Sequence, residues 1–412
     1  MADLTVELYG HPIGHLAKTG RESFDFLTDI TTFKKFQLGS TILSESVPLL
    51  AVQGRGGKAR RCNYFGELLP EGRILSDLAD SIGTSEFDVL TLLAHFGRDV
   101  AGAVQIYDPS KPGEPRTPQT TQLTEDQVKN LLLNTRSTPL ANRPILGKTS
   151  LPGVQDKIVL ARIADSWHQV LDGYPSTHII KPESKEHPSL IFDEEYGARI
   201  AREVGLANYS TVLESFNGTV GLVIARYDRF DEIPPTRIHQ EDMNQALGAR
   251  KNQKYQQHGG KVSLRRIAEI FSKNGDRDSL IRLLKLNTLA VAIGNLDLHA
   301  KNISILHLEN GESTLAPAYD TVPLIHHPNT DKKMALAVNG KYFHAQITKA
   351  DIVAEAASWG LKESQKVVND TLEIVGSVVV TQKPDSRAYR ELDRDIGMFT
   401  RNLLDGKPTM SA

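Results

Sequence analysis

The 412-residue sequence contains a single cysteine, Cys62, which excludes an intramolecular disulfide and any multi-cysteine metal cluster and suits a reducing compartment. It lacks an excess of charge of either sign. With 48 Lys plus Arg against 50 Asp plus Glu, no global field would drive tight nonspecific binding to nucleic acid, and only a local basic patch stays open. No stretch reaches the roughly 18 uninterrupted apolar residues of a membrane span. The first residues, Met1 to Glu7, carry neither the basic region nor the apolar run of an export signal. The expectation is a cytoplasmic protein without a membrane segment.

What is present fits a folded chain: 40% hydrophobic and 24% charged residues, with 31 Gly and 20 Pro. At roughly 100–200 residues per domain the length implies two or three packed units. Leu4 to Tyr9, ended by Gly10, reads as a strand, and β-type segments are expected to about residue 55. Ser85 with Asp88 three residues on forms a capping-box pattern, and Val89, Leu92, Leu93 and Phe96 follow at helical spacing before Gly97. Pro109, Pro112, Pro115 and Pro118 then fall at every third position, which favours an extended connector. A second capping box, Thr124 to Gln127, opens a helix through Val128, Leu131 and Leu132, and Asn142-Arg143-Pro144 breaks order again. The boundaries implied are 1–107, 108–144, 145–228 and 229–412.

In the third segment, 157–161 and 178–181 read as strands, 193–204 as a helix with Tyr196, Ile200 and Val204 on one face, and 209–216 and 219–225 as strands around an Asn217-Gly218 turn. That order fits the small lobe of a protein kinase, and many other α+β domains. Beyond residue 240 the pattern turns helical, with Leu264, Ile267 and Phe271 in one segment and Leu286, Leu289, Ala290 and Ile293 in another, and a loose tail is expected over 406–412.

The chemistry lies in Gly294-Asn295-Leu296-Asp297-Leu298-His299-Ala300-Lys301-Asn302, where a carboxylate and an amide stand five residues apart. Kinases use that spacing: the Asp accepts the proton of the substrate hydroxyl and the Asn binds a magnesium ion. An ordinary polar loop closed by an Asx turn has the same spacing. A further hairpin is expected around Asn310-Gly311; since 311 is midway between 302 and 320, it would bring Asn302 and Asp320 together as two hard oxygen ligands suited to Mg²⁺ beside a nucleotide. Lys181 ends an apolar strand, from which an ammonium can reach phosphates. Glu195 is its candidate partner, or else pairs with Arg199 one helical turn on. Ser150 to Lys157 is the candidate phosphate turn, although its one glycine is also that of a plain Pro-Gly turn.

These residues resemble the HipA family of serine/threonine-kinase toxins from bacterial type II toxin–antitoxin pairs. The likeness is carried by Gly153-Val154-Gln155-Asp156-Lys157, Thr177 to Lys181, Arg226-Tyr227-Asp228-Arg229, His239-Gln240-Glu241-Asp242-Met243, Gly294 to Asn302 and Pro317-Ala318-Tyr319-Asp320, in the family's order. Asn63 to Gly72 and Gly97 to Ala103 resemble the amino-terminal domain of the family. The resemblance implies an α+β, protein-kinase-like two-lobe fold with an added β-rich amino-terminal subdomain and a helical carboxy-terminal lobe.

It further implies that Pro152, Gly153, Val154, Gln155, Asp156 and Lys157 form the phosphate loop, that Lys181 holds phosphates, and that Ala225, Arg226 and Tyr227 form the adenine hinge. His299, Ala300, Lys301 and Asn302 would line the nucleotide, Asp297 would be the catalytic base, and Asn302 and Asp320 would bind Mg²⁺, with ATP as phosphate donor. Ser150, or its neighbour Thr149, would be autophosphorylated with loss of activity. The implied partners are a HipB-like helix-turn-helix antitoxin, operator DNA through that complex, and an aminoacyl-tRNA synthetase such as glutamyl-tRNA synthetase as substrate, whose modification halts translation and growth and leads to persistence. A small-molecule kinase of the aminoglycoside-phosphotransferase type and a catalytically silent corepressor are the alternatives.

Overall fold

Alternating side chains make Leu4–Leu8 a half-buried strand, with Leu4, Val6 and Leu8 inside and Thr5 and Glu7 partly exposed. It is an inner strand of an antiparallel sheet ordered Phe24–Thr28, His11–Lys18, Leu4–Leu8, Val104–Tyr107. A computed structural model describes residues 3–20, 22–142, 147–230, 232–327 and 330–411. The chain divides into two units. One comprises Met1–Pro182, Glu214–Lys251 and Leu306–Ser313, and the other Glu183–Leu213, Asn252–Ile305 and Thr314–Ala412. The expected boundary at 144/145 lies outside the described residues.

In the first unit, β structure stops earlier than the expected residue 55. After Thr28 come short 3₁₀ turns and a loop in which the Gly39 N–H donates to Leu49 O at 2.7 Å and the Leu49 N–H to Ser40 O at 2.9 Å. Leu43, Val47 and Leu49 are buried from this closed loop, which explains why apolar spacing alone suggested strands. Helices Lys58–Gly66, Gly72–Ser81 and Val89–Phe96 follow. The last is capped by Asp88, whose side chain accepts from the Thr91 N–H, and not by Ser85, which turns the chain one step earlier by accepting from the Phe87 N–H at 3.2 Å. The Thr124–Gln127 capping box forms as expected, ahead of helix Glu125–Leu133.

A second sheet in this unit has the order Gln119–Leu123, Ser166–Leu171, Ile158–Ile163, His178–Pro182, Thr219–Ala225, Thr211–Phe216. Asn217 and Gly218 both take positive φ, 45° and 86°, the turn whose twist matches a two-residue hairpin. The strand Ser166–Leu171 was not expected, because its turn uses Ala164 and Asp165 in left-handed conformations (φ 45° and 64°) without glycine.

The second unit is mainly helical: Leu190–Glu203, Leu264–Lys273, Arg277–Ile293, Lys349–Ala357, Ser364–Thr381 and Leu392–Leu404. Arg277–Ile293 is buried over most of its length and packs on Ser364–Thr381 and Leu392–Leu404. It ends at Gly294, in the left-handed region at φ 70°. A Cβ there would meet Ile325 Cγ2 at 2.6 Å, and the Gly294 carbonyl accepts from the Leu324 and Ile325 N–H groups, each at 3.0 Å. One residue thus stops the helix and docks the segment that follows Asp320. The tail is not loose: Thr409 is fully buried, its N–H donates to Ile347 O at 3.1 Å, and its carbonyl accepts from Asn402 Nδ2 at 2.9 Å. No helix among the described residues is long and apolar enough to cross a membrane.

Candidate active site

In the second unit the loop after Gly294 is shaped by amide side chains. Asn295 Oδ1 accepts from the Asp297 N–H at 3.1 Å, an Asx turn, while Asn295 Nδ2 donates to Asp320 O at 3.2 Å. The Asp297 carbonyl accepts from the His299 N–H at 2.7 Å and from Asn302 Nδ2 at 2.9 Å. The Asx turn and the kinase-type spacing therefore coexist: Asn295 makes the turn, and Asn302 closes the loop through its NH₂. That bond fixes which end of the Asn302 amide is donor, leaving Oδ1 as the ligand-type atom. The Asp297 side chain is 42% exposed, Tyr255 Oη donates to its Oδ1 at 3.2 Å, and His299 Nε2 is 3.8 Å from its Oδ2. His299, Ala300, Lys301 and Asn302 are all buried.

The hairpin forms around Asn310-Gly311 between strands Ser304–His307 and Ser313–Leu315. Gly311 takes φ 90°, and the Leu308 N–H donates to Glu312 O at 2.8 Å. At its base the Ala316 N–H donates to Ser304 O at 2.8 Å and Tyr319 Oη donates to Lys301 O at 2.7 Å. The residue before Asp320 is thus bonded to the residue before Asn302, as the count from the turn required. Asp320 itself has a left-handed backbone, φ 50°, a conformation uncommon outside glycine and tolerated best by Asn and Asp. Burial, with the Asp320 and Glu194 charges adding to it, pushes the Tyr209 phenol far above its usual range. Tyr209 Oη donates to Ala318 O at 2.7 Å, a second clamp on this segment.

A third clamp comes from helix Leu190–Glu203. A Cβ on Gly197 would lie 1.8 Å from Thr321 O, so only glycine lets the helix approach the residue after Asp320. Glu195, two residues earlier, pairs with Arg199 one turn on and with Arg202 at 4.0 Å. One carboxylate and one amide, both hard oxygen donors, fit a magnesium ion that completes its shell with phosphate and water. No group of three or more His, Cys, Asp or Glu among the described residues forms a protein-only metal cage.

The remaining candidates lie in the first unit. Ser150 is fully buried and its Oγ donates to Leu68 O at 3.0 Å; Thr149, also buried, takes an N–H···O bond to Asn142 Oδ1 at 3.1 Å. In the loop 152–157, Lys157 Nζ donates to Pro152 O at 3.2 Å, Asp156 pairs with Arg73 and accepts from Thr135 at 3.1 Å, and Val154 stands exposed. Lys181 is buried on its strand opposite Leu222, and Ala225 is opposite His178. At the expected hinge the Arg226 N–H is taken by Thr177 O at 2.8 Å, while Tyr227 Oη bonds Gln240. The Arg226 guanidinium points into a buried ion cluster, bonding Asp228 at 2.9 and 2.7 Å and Ser176 at 2.8 Å. Its side chain is committed to structure, which leaves only main-chain acceptors of this residue for a base.

Asn295, Tyr255, Tyr319 and Gly197 received no role from sequence. Asn295 had a signal, an Asn two residues ahead of the base; Tyr255, 42 residues from Asp297, had none.

The arrangement places an oriented carboxylate, an amide and a second carboxylate around the base of one hairpin. Two family models match the chain: the HipA-like C-terminal domain over residues 149–381 and the HipA N-terminal domain over residues 4–107. Among relatives, the Sinorhizobium fredii protein Y4mE is 32% identical over 319 residues, 74% of this chain and 73% of that one. The serine/threonine-protein kinase toxin HipA of Shewanella oneidensis is 26% identical over 388 residues, covering 89% of this chain and 86% of the toxin. In three dimensions the chain is similar to the HipA of the Shewanella oneidensis MR-1 complex of HipA, HipB and operator DNA, with a TM-score of 0.76 at 22% identity over 98% of this chain and 96% of that one. The fold is the mixed helix-and-sheet, kinase-like fold of HipA. The chain belongs to the HipA family.

Proposed function

We propose that this chain transfers the γ-phosphate of ATP to a serine or threonine hydroxyl of another protein, with Asp297 as the base. The observation that carries the reading is the closed loop from Asp297 to Asn302, sealed by Asn302 Nδ2 on the Asp297 carbonyl, with Asp320 tied to it through Asn295 and Tyr319. In this mechanism Asp297 orients the acceptor hydroxyl and takes its proton as the oxygen attacks phosphorus, and the departing oxygen stays on ADP. Asn302 and Asp320 would hold Mg²⁺, which when bound neutralises charge on the phosphates. Lys181 and the amides of 152–157 would hold the phosphates, and the main chain of 225–227 would take the adenine. The family name of the Shewanella relative as a serine/threonine-protein kinase toxin supports this assignment.

The same reading makes the chain a toxin neutralised by a HipB-like antitoxin that carries it to operator DNA, acting in the cytoplasm on an aminoacyl-tRNA synthetase such as glutamyl-tRNA synthetase. It would be self-limiting by phosphorylation of Ser150 or Thr149. Because both hydroxyls are buried and bonded, a phosphate of nearly two negative charges cannot be housed without releasing the segment 148–151, which would disturb the adjoining phosphate loop. The test is the intact mass of phosphatase-treated protein before and after MgATP, with Asp297→Asn as control. One added phosphate in the wild type alone, mapped to Ser150 or Thr149, is expected; none there despite measured ATP binding removes the self-limiting step.

A further inference from the structure

Among Asn295, Asp297, Asn302 and Asp320, only Asp297 lines a cleft of about 330 Å³, at the small end of ligand pockets. Leu296, Leu324 and Met334 give it apolar walls, and His258, Asp331 and Lys333 contribute polar groups. The candidate metal ligands Asn302 and Asp320 do not line it. Its size suits a few side chains of an extended peptide. Tyr255 stands in this wall with its hydroxyl on Asp297 Oδ1 at 3.2 Å.

Tyr255 is itself well held. Its ring meets His299 edge-on with centroids 5.3 Å apart and His258 at 5.8 Å, and Lys254 Nζ lies 5.5 Å from its centroid. The next residue is pinned at both ends: the Gln256 N–H donates to Ala335 O at 3.2 Å, and Gln256 Oε1 accepts from the Ala337 N–H at 2.9 Å. A half-exposed aspartate has several rotamers open to it, and a base helps only while one oxygen faces the acceptor. A rigid phenol donating to Oδ1 selects one rotamer, with Oδ2 3.8 Å from His299 Nε2.

We propose that Tyr255 is a positioning residue for Asp297, and that the cleft the two share receives the segment of a protein substrate bearing the acceptor hydroxyl. The proposal rests on the kinase reading above and adds to it the acceptor side and the group that aims the base.

The test uses the full chain, γ-labelled MgATP and an equimolar library of peptides each with one central serine. Tyr255→Phe removes only the hydroxyl. It is expected to lower kcat about 5- to 20-fold, leave KM for MgATP within about twofold and leave Tm unchanged. A purely packing role for Tyr255 would move Tm or both KM values. Wild-type transfer with an unchanged kcat in Tyr255→Phe overturns the proposal alone. A wild type that transfers to neither peptide nor protein removes the kinase reading, and the proposal with it.

Discussion

Two polar networks in this chain use the same residue types to different ends. In the first unit Asp99 and Asp228 are bracketed by Arg226, Arg229 and Arg237, with both carboxylates and the Arg226 and Arg229 side chains no more than 3% exposed. Burial opposes ionisation of Asp228, but Arg226 and Arg229 outweigh it and hold its carboxyl well below the usual carboxylate range. Burial, reinforced by Arg229, pulls Arg237 down to about 9. In the second unit the loop around Asp297 is bonded chiefly to main-chain carbonyls, and its carboxylate stands half open on a cleft. Charge compensation marks the first as architecture; in the second, the carboxylate is oriented by a phenol and stays partly open to solvent, which fits the proposed chemistry. Both lie within sequence motifs of the family, so motif membership alone does not separate the two roles.

Substitutions that should pull these roles apart can be ranked. Asp297→Asn should cost about 10²–10⁴ in phosphate-transfer rate with thermal stability nearly unchanged, since the loop bonds use the main chain of Asp297. Asp228→Asn should show the reverse. It leaves Arg226 and Arg229 facing one neutral partner, and urea unfolding should register a loss of about 3–5 kcal/mol. Gly197→Ala tests whether helix Leu190–Glu203 sets the Asp320 segment. A Cβ 1.8 Å from Thr321 O must push one of them away, and the expected result is a stability loss of about 1–3 kcal/mol with weaker MgATP binding by titration.

The smallest effect concerns pH. Glu241, bonded to His307 Nε2 at 2.9 Å, is pushed up from 4.5 to about 8 by burial against the opposing bonds of Ser44 and Glu45, and burial lowers His307 from 6.5 to about 4. His239 nearby is lowered to about 3 by burial and by His307. A protonated Glu241 therefore contributes stability that is lost as pH rises from about 4.5 to about 8, whereas the two neutral histidines contribute stability lost as pH falls below 6.5. Between 6.5 and 8 only Glu241 acts. Over that window the urea midpoint of the wild type should fall with pH, and that of Glu241→Gln should stay level.

Sequence carried the base of the site further than its surroundings. The Asp297–Asn302 spacing and the hairpin count placed the second-unit residues together because both are local: one loop, and one turn at Asn310-Gly311. The same dipeptide occurs at two further places from which no turn was read. Asn274-Gly275 ends helix Leu264–Lys273, and Asn339-Gly340, with φ 49° and 77°, turns a hairpin of Lys333–Val338 and Lys341–Phe343 inside a region expected to be helical. Long-range placement was not legible. Tyr255 on Asp297, Gly197 under Thr321 and the burial of Arg226 among Asp99, Asp228 and Ser176 depend on segments far apart in sequence, and no spacing rule joins them. Arg226 shows the limit: sequence set it just after the strand Thr219–Ala225, but the direction of its side chain into the buried ion cluster was not readable.

The most direct test of this account is phosphate transferred from labelled MgATP per folded molecule, measured side by side for the wild type, Asp297→Asn and Asp228→Asn. The account predicts near-complete loss for Asp297→Asn and near-wild-type transfer for whatever fraction of Asp228→Asn remains folded. Wild-type transfer by Asp297→Asn would contradict the assignment of the base, and full loss in folded Asp228→Asn would contradict the separation of the two networks.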